Sequence, residues 1–165
     1  MNHKKDKKEY KNQGMILAEI LVGSAIILMV IMATVEAYST YLNYALSNQN
    51  NTVASYLLEE GIEVATYLRD IGWNANIGTL TSGTTYYVVF DGSTWLTTTT
   101  LQYIDNTFLR TLVVENVNRD INDDIASVGT LDPNIKKVTV TVSYWQGHAT
   151  TTKSLETYIT NIYNN

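Results

Sequence analysis

Glu19 is the residue in this sequence that most clearly requires a compensating partner, because it is a carboxylate inside an otherwise uncharged apolar stretch. Residues 15–35 read MILAEILVGSAIILMVIMATV, and Glu19 carries the only charge among them. A carboxylate within a membrane-spanning helix costs a few kcal/mol unless a partner compensates it. We therefore expect Glu19 to have a partner and to be a functional residue.

The element that carries Glu19 is predicted to be a transmembrane helix over 15–35. These 21 residues form a helix about 31 Å long, which matches a hydrocarbon core of about 30 Å. A secretory signal peptide would have a shorter apolar region followed by a small-residue cleavage site, so we expect the apolar run to be retained.

The charges on either side of this run predict its orientation. The first charge after it is Glu36, whereas the basic residues before it are Lys4, Lys5, Lys7, Lys8 and Lys11. Because positively charged flanks stay in the cytoplasm, we expect a single-pass protein of the cytoplasmic membrane with its C-terminal domain outside.

Gly14 ends the lysine-rich leader, and Glu19 is the fifth residue after it. The segment Gly14-Met15-Ile16-Leu17-Ala18-Glu19 resembles the cleavage and methylation motif of type IV prepilins and type II secretion pseudopilins. The resemblance implies a leader peptide over 1–14, which prepilin peptidase removes by cutting after Gly14. It also implies methylation of the new amine at Met15, where the family usually has Phe, and makes Glu19 the family's fifth-position glutamate.

The amine produced by that cut can serve as the partner of Glu19. Met15 and Glu19 are four residues apart, about 6 Å along a helix axis, so a neighbouring subunit displaced by that distance presents its amine to the carboxylate. Methylation keeps the positive charge.

The implied partners are other pilin subunits through this helix, the inner-membrane assembly platform and membrane lipid. An ordinary signal-anchor helix that tolerates a glutamate near one end is the alternative.

The helix is expected to continue to about Asp70, because no proline occurs before Pro133. Its second half, within 36–72, is predicted to be amphipathic and to pack on a globular domain. Glu59, Glu60, Glu63 and Arg69 take other faces, and the predicted packing face consists of Ala45, Val53, Leu57, Gly61, Ala65 and Leu68.

Residues 54–63, with Arg69, Asp70 and Trp73, resemble a stretch of many minor pilins in which Glu-Gly-x-Glu precedes Arg-Asp and Trp. The resemblance implies a subunit of the minor type. A solvated acidic helix surface is an equally simple interpretation of the same residues.

From Gly72 onward apolar and polar residues alternate at every second position, which predicts a β-rich globular domain over 73–165. Val138, Val140 and Val142, for example, alternate with polar residues. We expect an antiparallel meander with one face on the helix, so the fold class is α+β. The expected strands are 85–91, 95–96, 101–104, 108–117, 137–145 and 154–160, with turns at 92–93 and 146–151.

Four aspartates in the connection 119–135 are the candidate metal ligands, because oxygen-rich loops can bind calcium and some pseudopilins use one. Their spacing matches no EF-hand, and Asp is also a common turn residue. Asp132-Pro133-Asn134 is predicted to be a turn. We therefore predict no cofactor, with calcium as the alternative at Asp120, Asp123, Asp124 and Asp132.

Composition argues against catalysis and against nucleic acid as a partner. The sequence has no cysteine, and the cut chain would retain only His148 among histidines, so no Cys/His pair, HExxH motif or similar site is present. The cut chain would also hold 6 basic and 14 acidic residues, whereas phosphate binding depends on clustered Lys and Arg.

We therefore expect a structural subunit of a type IV pilus or related filament, of the minor type, and not an enzyme. A pseudopilin of a type II secretion or competence system would share the same leader, cleavage site and glutamate, and it is the first alternative. The alternative from another class is a signal-anchored surface binding protein that does not polymerise.

Overall fold

The computed structural model of the chain describes residues 3–147 and 149–163, with side chains from Gly14 onward. Residues 1–2, His148 and residues 164–165, together with the side chains of residues 3–13, lie outside the description. The chain consists of one long helix and a six-stranded antiparallel sheet, which confirms the predicted α+β class. It forms two compact units, residues 1–47 and 48–165.

Helix α1 runs from His3 to Asp70 without interruption and so contributes to both units. Its predicted end at Asp70 is confirmed. The chain leaves the helix at Gly72, whose φ of 151° lies in the range that favours glycine. Two short 3-10 turns, Trp73–Ala75 and Ile77–Thr79, lead from there toward the sheet.

The sheet has the strand order β2-β1-β3-β5-β6, with β4 beside the end of β3. Because β3 lies next to β1 rather than β2, the connectivity departs from the expected simple meander at this point. The strands are β1 (Thr85–Phe90), β2 (Trp95–Thr98), β3 (Phe108–Arg119), β4 (Ile125–Ala126), β5 (Thr130–Gln146) and β6 (Ala149–Thr160).

The strand predicted over 101–104 was wrong, since Ile104 alone pairs, through a bridge to Phe108. Asp105 and Asn106 have positive φ values of 50° and 52° and turn the chain back immediately. The turn leaves no room for a longer ladder between this segment and β3.

The turn predicted at Asp132-Pro133-Asn134 was also wrong, because β5 begins at Thr130. The register of β5 against β3 jumps from Lys136↔Asn116 to Asp132↔Val117, so 133–135 form a bulge. Proline has no N–H to donate to a ladder, and a bulge is one of the few places in a sheet that accept it. The pairing then resumes because β3 extends to Arg119.

The core of the second unit forms where α1 packs on the inward face of the sheet. The alternation predicted around Val140 is confirmed, since the valines of β5 are fully buried. Of the predicted helix face, Gly61 and Ala65 are buried but Ala45 is exposed. The buried helix positions recur mostly three and four residues apart, as a helix of 3.6 residues per turn requires: Ala54, Leu58, Gly61, Val64, Ala65 and Leu68.

Gly61 sets the distance between α1 and β5. A Cβ built at this position would lie 2.6 Å from Cγ1 of Val140, which is too close for two carbon atoms. We expect Gly61→Val to lower the free energy of unfolding by about 2 kcal/mol or more, because overpacking forces the helix away from the sheet. Urea unfolding of the full chain in maltoside micelles measures the change.

Gly23→Val is the matched control, because a Cβ at Gly23 would meet nothing within 4 Å. We expect this control to leave the unfolding of the sheet unit unchanged. Equal stability of the Gly61 and Gly23 variants would contradict the assigned close approach.

Candidate functional site

The three residues of the predicted processing and assembly site lie on α1, and all three are exposed. The bond between Gly14 and Met15 is inside the helix, and a Cβ at Gly14 would meet nothing within 4 Å. Met15 and Glu19 are four residues apart and therefore lie on the same side of the helix. The ion pairs that the described residues form with each other do not include Glu19.

The helix around Glu19 presents apolar side chains in every direction. Each large apolar side chain from Met15 to Val35 is more than half exposed, from 53% at Ile31 to 75% at Met15. Within the part of the chain that is described, α1 is also the helix long and apolar enough to cross a membrane. An apolar surface of this extent is typical of a segment that contacts lipid or other protein chains.

The four candidate calcium ligands do not share a site. Arg119 donates from Nε to Asp132 Oδ2 at 2.7 Å and from Nη1 to the carbonyl of Asp123 at 2.7 Å. Asp120 Oδ1 instead accepts the backbone N–H groups of Asn122 and Asp124 at 2.8 and 3.0 Å. Among the described residues, no three His, Cys, Asp or Glu side chains lie close enough to hold a metal ion together.

Sequence reasoning missed the buried ion pair between Arg110 and Glu60. The Arg110 side chain is 3% exposed on the inward face of β3, and its Nη1 donates to Glu60 on α1 and to the carbonyl of Leu57 at 3.3 Å. Its Nε has no hydrogen-bond partner in the described structure. The guanidinium also lies 5.6 Å from the ring centre of Trp95. Its charge is therefore held by one carboxylate, one carbonyl and one aromatic ring.

A signal for this pair was present in the sequence. Arg110 alternates with Phe108 and Leu112 in a predicted strand, so the arginine had to point inward with them. A buried guanidinium requires a carboxylate close by, and the acidic residues of the facing helix were the available partners. Glu60 thus belongs to the interface with the sheet rather than to a purely solvated surface.

Lys153 of β6 forms a second polar contact with α1. Its Nζ donates to the carbonyl of Asn51 at 3.1 Å and to Oγ of Ser55 at 2.8 Å. The helix face is thereby fixed to the sheet near Asn51 and again at Glu60.

Comparisons of the chain with protein-family models, with curated proteins and with solved structures find no match.

We expect Glu60→Ala to lower the free energy of unfolding by about 2 kcal/mol, because it leaves the buried Arg110 charge without its carboxylate. We expect this loss of stability to be moderate, because the Glu60 side chain is 42% exposed and water weakens its attraction to Arg110. Glu60→Leu combined with Arg110→Met should recover most of the loss, since neither charge then remains. Urea unfolding of the wild type, Glu60→Leu, Arg110→Met and the double variant measures the coupling. Strictly additive effects would contradict a direct pair.

Asp132 should make stability depend on pH. The hydrogen bond from Arg119, and then the N–H of Asn134, hold the pKa of the Asp132 carboxyl below its usual range. A group whose pKa is lowered by folding adds stability above its unfolded pKa and loses it as the pH falls through the folded pKa. Asp132→Asn should therefore be less stable than wild type at about pH 7, with a gap that shrinks below about pH 4.

Urea unfolding from about pH 7 down to about pH 3 tests this dependence. Asp105→Asn is the control, because Asp105 occupies a turn position with positive φ that also suits asparagine. A gap between Asp132→Asn and wild type that stayed constant over this range would contradict the assigned cause.

Proposed function

We propose that this protein is a structural subunit of a type IV pilus or a related filament, of the minor type. It is made as a membrane-held precursor that prepilin peptidase cuts after Gly14 and that is then methylated at Met15. The observation that carries the proposal is Glu19, a lone carboxylate on an exposed apolar helix, placed five residues after the glycine that ends a lysine-rich leader.

The exposed apolar helix supports assembly through this segment. Before assembly, lipid can cover the side chains from Met15 to Val35, since they match the hydrocarbon core in length. In a filament, the same side chains would pack on the helices of neighbouring subunits. Neither lipid nor apolar side chains can neutralise the Glu19 carboxylate, so it requires a cation from another chain.

Cleavage would supply that cation. The lysines before Gly14 favour a cytoplasmic N-terminus and so a sheet unit outside the cytoplasmic membrane. Removal of the leader leaves an amine at Met15, one helical turn from Glu19. A subunit displaced by that turn pairs its amine with the Glu19 of its neighbour, with the assembly platform and membrane lipid as further partners.

A pseudopilin of a secretion or competence system would use the same leader, cut and glutamate, and it is the neighbouring proposal within this class. A signal-anchored surface binding protein that does not polymerise would use the helix only as an anchor. That alternative gives Glu19 no role, which is why we favour a filament subunit.

The first test is processing in cells with an active prepilin peptidase. We expect the intact mass of the membrane-derived chain to match a start at singly methylated Met15. Gly14→Ala should keep the leader, and it introduces no clash because a Cβ there meets nothing within 4 Å. A wild-type chain that still carried Lys4 to Lys11 would refute cleavage and with it the proposed function.

The second test separates cleavage from assembly. Glu19→Val should still be cut, but the yield of sheared filaments should fall at least about tenfold, because each amine loses its counter-charge in an apolar environment. Glu36→Val is the matched control, since Glu36 follows the apolar run, and it should leave the yield within about twofold. Normal filaments from Glu19→Val would contradict the proposed amine–carboxylate pair.

A further inference from the structure

A pocket of about 460 Å³ lies in the second unit between α1 and the hairpin of β1 and β2. Aromatic side chains form much of its wall. The rings of Phe90 and Trp95 lie 5.3 Å apart at an angle of 54°, and Tyr67 approaches from the helix. Phe90 is 55% exposed, so its ring is accessible to a ligand.

Hydrogen bonds hold this hairpin in place. Asp91 Oδ1 accepts the backbone N–H groups of Ser93 and Thr94 at 2.9 and 2.8 Å, and these bonds lower the pKa of the Asp91 carboxyl. The Tyr67 hydroxyl and Thr94 Oγ1 are 3.0 Å apart and join the turn to the helix. The aromatic wall is therefore formed before any ligand arrives, which reduces the entropy lost on binding.

The charge of the pocket is negative. Glu60 and Glu63 both line it, but Arg110 already pairs with Glu60. Glu63 is exposed and takes part in none of the ion pairs that the described residues form with each other. Among the described residues, those that line the pocket include no basic side chain. One carboxylate is thus available beside three aromatic rings.

We infer that this pocket binds an organic ammonium group. Aromatic faces attract cations through their quadrupoles, and a nearby carboxylate adds a direct Coulomb attraction. Because the Arg110 guanidinium already lies over Trp95, the rings of Phe90 and Tyr67 are the ones that a ligand cation would contact. The group can belong to a quaternary amine such as choline or to a lysyl side chain. A primary ammonium would also donate hydrogen bonds to Glu63. The inference does not depend on filament assembly.

The test titrates the full chain, in neutral maltoside micelles, with choline and separately with Nα-acetyl-lysine amide. The indole resonance of Trp95 reports binding in nuclear magnetic resonance spectra. The control ligand is 3,3-dimethylbutanol, which has the shape of choline without the charge. We expect at least one ammonium ligand to bind about tenfold more tightly than the neutral alcohol, and the tighter of the two identifies its source.

Two variants then tie the binding to this pocket. Glu63→Gln keeps the shape and removes the free charge, and Phe90→Leu keeps an apolar wall without the ring. Each should weaken the binding of the preferred ammonium at least about fivefold, whereas Glu59→Gln, on the same helix but outside the set of lining residues, should change it less than about twofold.

Several outcomes would overturn the inference. The first is equal affinity for choline and its neutral isostere combined with no binding of the lysine ligand. The second is no shift of the Trp95 resonance with any ligand. The third is an equal loss of affinity in Glu63→Gln and Glu59→Gln. Near-ultraviolet circular dichroism of each variant shows that its aromatic packing is intact, so a weakened affinity is assigned to the ligand contacts.

Discussion

The close contact between α1 and the inward face of β5 is the constraint on which the second unit depends. A single antiparallel sheet has two faces, and only a covering layer can remove the apolar one from water. Gly61 opposite Val140 lets the helix backbone approach closely enough for the valines of β5 to be fully buried. The Arg110 side chain lies beside this contact, and the aromatic pocket lies between the same helix and the β1–β2 hairpin, so the geometry of both depends on how closely the helix approaches the sheet.

The sequence predicted those parts of the fold that depend on local pattern. The continuous helix follows from the absence of proline before Pro133, and the alternation along β5 follows from valines at every second position. The errors arose where the outcome depended on pairing with another strand. A strand over 101–104 would need a partner strand, but the turn at Asp105 reverses the chain too early for one to pair with it. Pro133 is accepted in β5 only because β3 is long enough to pair on both sides of the bulge.

Candidate sites divide in the same way. Glu19 could be proposed as a candidate from the sequence alone, because its neighbours along the chain from Met15 to Val35 carry no charge. The partner of Arg110 could not be identified in this way, since Glu60 is 50 residues distant and became its neighbour only through the helix–sheet contact. For the four aspartates, proximity in sequence alone did not indicate a metal site, since among the described residues no three such carboxylates lie close enough to hold an ion together. Arg119 pairs with the carboxylates of Asp123 and Asp132, whereas the Asp120 carboxylate accepts backbone N–H groups.

The two stretches of α1 differ in how specifically they can define a partner. The stripe from Ala54 to Leu68 has one apolar side, so it can pack on the sheet in only one rotation. Residues 15–35 are apolar all round, and such a surface accepts many rotations and axial positions of a neighbouring helix with similar energy. One buried charge removes that degeneracy, because most positions leave it unpaired. In the proposed filament, Glu19 would thus determine the axial register that apolar packing alone leaves undefined.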